Sequence, residues 1–362
     1  MDYSTPPSPP GAGESASAGG GPFGSAQGGP FRLRRDVVKR WLRLALQLLS
    51  LVLFGLILWS GGLETWRQVL AGDRWALLAA FLTTGSAHVL SATRLRLMAH
   101  SMTGRKLAPW RRFYYLNMTA RALGLVVPRS LSTLGGKSVA LRSLGVSLKR
   151  SVWTVLMDNL FDLSLLGVLA VPALFFLKGW VSSGGFIALV LGLTLAFAGG
   201  LWWITATGRL FPLLRWLGRI PWLESALRRA QGTALRLGPE GANDLLPTRS
   251  TALRALVLSV LLNGALATRF YYIARAVGVV YPWLIFAACF PLTQLSLVLA
   301  VTPGGLGLFD AGWYGVLLLG GVPHQEALTF VVAQRAYVFV FVLVWAGFST
   351  LLSLTAEGRA RA

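Results

Sequence analysis

Acidic residues are scarce, with 13 Asp and Glu in 362 residues against 34 Lys and Arg, for a net charge of +21. So few carboxylates, none clustered at a loop, speak against an enzyme built on a carboxylate-held metal ion. Cysteine is nearly absent: Cys289 alone excludes an internal disulfide, and in its apolar run it reads as a packed small side chain. His88, His100 and His324 are scattered without metal-ligand spacing, so no zinc or haem site is expected. The glycine cluster at Gly304, Gly305 and Gly307 lacks the Lys-Ser/Thr of a nucleotide-binding P-loop, and no cofactor is implied. Charged residues of every kind make up 13% of the chain, about half the share usual in soluble domains, which argues against a water-facing surface.

What fills the sequence is apolar, at 54% of residues. Runs at 42–60, 75–99, 186–206, 250–272 and 328–352 approach or exceed the roughly 20 residues a helix needs to cross hydrocarbon. The expected fold is an all-α polytopic integral membrane protein, with about six transmembrane helices plus two re-entrant helical hairpins. Basic residues gather at Arg32 to Arg40, at Arg105, Lys106, Arg111 and Arg112, at Lys149 and Arg150, and between Arg209 and Arg249. By the positive-inside rule these stretches share the cytoplasmic face of the cell membrane, with both termini. Positives that flank spans suit anionic headgroups, and no nucleic-acid partner is expected.

Residues 1–30 are Gly, Pro, Ser and Ala-rich and read as a disordered cytoplasmic tail, not a signal peptide. Residues 31–356 form the transmembrane domain, interrupted at 208–247 by a cytoplasmic amphipathic segment, and 357–362 are a cytoplasmic tail. Within the domain, 110–127 runs into Pro128-Arg129-Ser130 and a segment at 131–144 too short to span. A hairpin returning to the same side fits that length. The pattern recurs at 283–301, where Thr302-Pro303-Gly304-Gly305-Leu306-Gly307 precedes another short apolar segment.

Sliding 128–162 forward by about 175 positions superposes Pro128 on Pro303 and Gly145-Val146 on Gly321-Val322, and the two copies come out inverted in the membrane. This inverted pseudo-repeat centres a substrate site between its halves. Asp158 and Asp162 share one helical face, and Arg335 aligns with Asn159. At 1.5 Å per residue, Asp158 lies roughly 12 Å from the inner surface and Arg335 roughly 13 Å from the outer. An isolated charge at that depth is costly, so a pairing of Asp158 with Arg335 across the pseudo-twofold is expected. Asp310 follows the glycine bend as a cap or anchor of the second hairpin. Asn117, Arg121 and Arg129 line the first hairpin and Asn263 sits mid-span, the two asparagines reading as helix-to-helix hydrogen bonders. Gly304, Gly305 and Gly307 serve a tight bend, since they follow an apolar helix and lack a βαβ setting.

The run Pro303-Gly304-Gly305-Leu306-Gly307-Leu308-Phe309-Asp310, then Gly321-Val322 and Ala333-Gln334-Arg335, resembles the second-half signature of the lysylphosphatidylglycerol synthase transmembrane-region family, also described as flippase-like. The first half is similar through Asn117, Pro128, Gly135-Gly136 and the 158–162 segment. It departs at Lys137, where the family tends to be acidic, and at Asn159, which replaces an arginine. The resemblance covers about 42–354, and no soluble aminoacyl-transferase domain follows by Ala362, so lysine transfer is not expected.

What the resemblance implies is movement of an anionic phospholipid or lipid-linked phosphate between leaflets, without catalysis. Arg335, Arg129 and Arg121 would neutralise the phosphate. The residues expected at the substrate are these with Asp158, Asn159, Asp162, Asp310, Gly304, Gly305 and Gly307. Asp158, Asp162 and Asp310 are the only proton carriers the sequence offers for ion coupling. Two other readings stand beside it: an embedded lipid-modifying enzyme with Asp158 or Asp162 as base, and a non-catalytic membrane partner of a separate synthase or glycosyltransferase.

Overall fold

A computed structural model of the chain describes residues 55, 59, 67–127, 131–207, 247–299, 302 and 304–361. The expected tail at 1–30, the first span at 42–60 apart from residues 55 and 59, the Pro128-Arg129-Ser130 bend, Pro303 and the amphipathic segment up to 246 lie outside these residues. Among the described residues all regular structure is helical. The helices are α1 (Arg74–Thr103), α2 (Trp110–Val126), a π-turn at Leu131–Gly136 running into α3 (Lys137–Arg142), α4 (Leu148–Leu177) and α5 (Ser183–Thr207). They continue with α6 (Arg249–Ala276), α7 (Trp283–Leu299), α8 (Leu308–Leu319) and α9 (His324–Arg361).

Each boundary has a local cause. Asp73 caps α1 by accepting from the Trp75 N–H at 3.0 Å, and the helix stops at Gly104, whose φ of 67° is the left-handed turn that glycine adopts without strain. Thr248 caps α6 by accepting from the Thr251 N–H. Among the described residues, five helices, α1, α4, α5, α6 and α9, are long and apolar enough to cross a membrane. The chain is a multi-pass helical membrane protein. By contrast α8, at 12 residues, reaches only about 18 Å and cannot span.

Interhelix hydrogen bonds fix the relative directions. The Asp73 N–H donates to Ala276 O (2.8 Å) at one end of the α1/α6 pair, and the Thr248 N–H to Ser101 Oγ (3.3 Å) at the other, so α1 and α6 run antiparallel. The first hairpin, α2 with α3, begins and ends at the α1 C-terminal side, where Arg105 donates to Gly145 O at 2.7 Å. Thr329, just after the second hairpin of α7 and α8, donates to Gln68 Oε1 (3.3 Å) near the opposite end of α1. The hairpins therefore enter from opposite sides, as the repeat predicts. Their inner ends touch: the Gly304 N–H donates to Gly124 O at 2.9 Å.

Packing follows the same symmetry. α1 pairs most extensively with α6, while α2 packs on α9 and α7 on α4, so each hairpin leans on the long helix of the other half. Both helices bury small residues, Ala76, Ala80 and Ala87 on α1 and Ala252, Ala255 and Ala274 on α6, which permit the close backbone approach that stabilises helix pairs in lipid. Phe270, Phe286, Trp313 and Phe330 form an aromatic cluster that anchors short α8 among α6, α7 and α9. The outer face is apolar, with Leu191, Leu195, Trp202 and Trp203 of α5 exposed as a lipid-facing surface requires.

Candidate functional site

Two ion-pair clusters stand in the interior. In the first half, Arg94 of α1 is 1% exposed and ties three helices. Its Nε donates to Asp158 Oδ1 at 2.7 Å, its Nη2 to Asp162 Oδ2 at 2.7 Å, and its Nη1 to Asp162 Oδ1 and to Ser259 Oγ of α6. Lys137, from the second arm of the hairpin, donates to the remaining Asp158 oxygen at 3.1 Å. Asp158 and Asp162 can share one guanidinium because they stand one helical turn apart on the same face of α4.

In the second half Asp310 is fully buried, and every contact it makes holds the glycine bend. Its Oδ2 accepts from the Gly307 N–H at 3.0 Å, capping α8, and from Arg335 Nη2 at 2.6 Å. Its Oδ1 accepts from Arg335 Nε and Gln334 Nε2, both at 3.0 Å. Arg335 Nη1 reaches Gly304 O at 2.9 Å, and the guanidinium carbon lies 5.8 Å from the Phe309 ring centre. Gly304, Gly305 and Gly307 have φ of 59°, 70° and 82°, which is why this bend is made of glycine.

The expected Asp158–Arg335 pairing is therefore not formed. Each charge is neutralised within its own half, because the hairpin arm lying beside each long helix carries the opposite sign. The departure at Lys137 is the first half's solution with the signs exchanged: cation on the hairpin and anion on α4, where the second half has anion on α8 and cation on α9. Arg94, which the sequence reading passed over, supplies the guanidinium that Asn159 lacks.

Between the clusters lies a cavity of about 180 Å³. That is smaller than the roughly 300–1,000 Å³ of pockets that enclose a whole drug-sized ligand, and it suits a headgroup, not acyl chains. Of the residues expected at the substrate, Arg335, Arg121, Asn159, Asp162 and Gly304 line it. Asp158 and Asp310 stand behind the lining, holding the lysine and arginines that face it, while Gly305 and Gly307 shape the bend. Arg129 lies outside the described residues. Asn263 donates to Ser259 O of its own helix at 2.8 Å, and Asn117 meets Ser91 of α1 only at 3.5 Å. The Asp162 and Arg335 side chains are partly exposed, at 28% and 20%.

Four further lining residues, His88, Ser91, Arg94 and Arg269, were not among the expected ones. The first three recur every third residue along an otherwise apolar span, one stripe of a helix. That spacing was the available signal. Among the described residues, Arg94, Arg121, Lys137, Arg269 and Arg335 line the cavity together with Asp162, while Asp158 and Asp310 pair with Arg94, Lys137 and Arg335 from behind it.

The sequence model of the family described as Lysylphosphatidylglycerol synthase TM region matches residues 42–346. No curated protein matches the chain.

Proposed function

The chain belongs to the lysylphosphatidylglycerol synthase TM-region family, and on that premise we propose that it moves an anionic phospholipid or lipid-linked phosphate between leaflets. The headgroup enters the cavity between the two hairpins while the acyl chains stay in lipid. The observation that carries this reading is the convergence of Arg94, Arg121, Lys137, Arg269 and Arg335 on one space of headgroup size. Basic side chains gathered in a low-dielectric interior suit an entering phosphate, which accepts charge-assisted hydrogen bonds from them. The setting is the cell membrane, with both termini cytoplasmic by the distribution of basic residues.

Transport is favoured over embedded catalysis by the state of the carboxylates. Asp158 has a cation on each oxygen, Asp162 takes both outer nitrogens of Arg94, and Asp310 accepts four hydrogen bonds. A general base needs a lone pair within reach of substrate: Asp158 and Asp310 stand behind the lining, and Asp162, the one of the three that faces the cavity, is committed to the Arg94 fork through both oxygens. The same commitment supports passive movement over coupling to protons.

Proteoliposomes with fluorescent phosphatidylglycerol or phosphatidylethanolamine test the reading by the rate at which label becomes reducible from outside. The anionic lipid is expected to cross at least about tenfold faster than the zwitterion, one charge-assisted hydrogen bond's worth of selectivity. Equal rates, or rates no greater than in protein-free vesicles, would sink it.

A further inference from the structure

His88 of α1 lines the cavity and is 1% exposed, and neither ring nitrogen has a hydrogen-bond partner among the described residues. A neutral imidazole has a hydrogen to give at one nitrogen and a lone pair to offer at the other, so an acceptor as well as a donor stands unused there. Asn159 of α4 and Gln294 of α7 line the same space, and a carboxamide likewise both gives and accepts. Asn159 occupies the position that the repeat aligns with Arg335, so one half brings a guanidinium to the cavity where the other brings a neutral group. Three groups of this double character thus meet the cavity from three helices.

The phosphodiester of a phospholipid accepts hydrogen bonds and has none to give, so it suits the guanidiniums and leaves the acceptors idle. What they need is a ligand group that donates. An ammonium donates, but it would enter among Arg94, Arg121, Lys137, Arg269 and Arg335, with the lining carboxylate Asp162 already held by Arg94 through both oxygens. Hydroxyls donate and accept without charge. Resting on the lipid-transport reading, we infer that His88, Asn159 and Gln294 form a subsite for a polyhydroxylated ring, a sugar or cyclitol, carried on the lipid phosphate. A glycerol headgroup offers two hydroxyls on a flexible chain, whereas a ring displays more of them around a rigid rim and reaches groups on three helices with less freedom to lose. The basic side chains hold the phosphate, and the three neutral ones read what is attached to it.

The test uses the purified full-length chain in neutral detergent, titrated by calorimetry with dioctanoyl phosphatidylinositol, dioctanoyl phosphatidylglycerol and inositol 1-phosphate. Phosphatidylinositol is expected to bind at least about tenfold more tightly than phosphatidylglycerol, the effect of one or two additional hydrogen bonds. His88→Leu is expected to erase most of that preference while leaving phosphatidylglycerol affinity and the melting temperature nearly unchanged, because the ring has no protein hydrogen bond to lose. Gln294→Leu, on another helix, should lower the preference in the same direction, and it decides the matter should His88→Leu melt early. Equal affinity for the two lipids overturns the ring subsite and leaves the transport of anionic lipid standing. Inositol 1-phosphate binding as tightly as phosphatidylinositol supports the ring chemistry and overturns the lipid reading. Binding of none of the three overturns both. Undiminished preference in both variants overturns the assignment of the ring to these residues.

Discussion

Arg94→Ala is expected to destabilise the protein by about 3–5 kcal/mol, the cost of removing one partner from a buried ion pair. The guanidinium serves Asp158, Asp162 and Ser259 together, so its loss leaves one carboxylate with Lys137 alone and the other without its fork. At roughly 2–4 °C per kcal/mol for a domain of some 150–250 residues, the melting temperature in detergent should fall by on the order of 10 °C. Arg94→Lys should recover little, because an ammonium cannot span two carboxylates in one plane. Adding Asp162→Asn to Arg94→Ala should recover part of the loss by removing one orphaned charge. A wild-type melting temperature for Arg94→Ala would contradict this account of the first half.

The second large effect is on transport. Arg335→Ala is expected to lower the rate of anionic-lipid movement by about tenfold to a hundredfold, the worth of one or two charge-assisted hydrogen bonds. The side chain faces the cavity and also braces the hairpin through Asp310 and Gly304 O. Its loss should also cost stability, since buried Asp310 is left with the neutral partners Gln334 and the Gly307 N–H. Arg335→Lys retains the charge without the fork and should fall between. Comparing melting temperature with transport rate across the three proteins separates bracing from headgroup contact. Stability and rate falling in strict proportion would mean that Arg335 only holds the bend.

Much of this architecture is legible in the sequence because it is written in local signals. Apolar length marks α1, α4, α5, α6 and α9, and glycine with a short following run marks the second hairpin. A displacement of about 175 residues between like punctuation gives the repeat, which the exchange of α2 onto α9 and α7 onto α4 bears out. Charge partners are a different kind of information. Arg94 meets Asp158 and Ser259 across 64 and 165 residues, and no period in the chain points to either contact. Alignment of Asn159 with Arg335 suggested that the halves complete one another, whereas each completes itself, with Lys137 and Asp310 exchanging signs. The stripe His88, Ser91, Arg94 was within reach of reasoning, but three polar residues in a long apolar run look like tolerated impurities until the cavity beside them is seen. Arg269 was hidden in the same way, near the end of a span where a basic residue looks interfacial.

The central claim is that a lipid phosphate occupies the space between the two hairpins. A structure of the protein in nanodiscs containing anionic lipid tests it most directly. The account predicts headgroup density inside the cavity, with phosphate oxygens within hydrogen-bond distance of Arg121, Arg269 or Arg335 and acyl chains leading out to the bilayer. Headgroups bound only on the outer surface, with the cavity holding water alone, would contradict it.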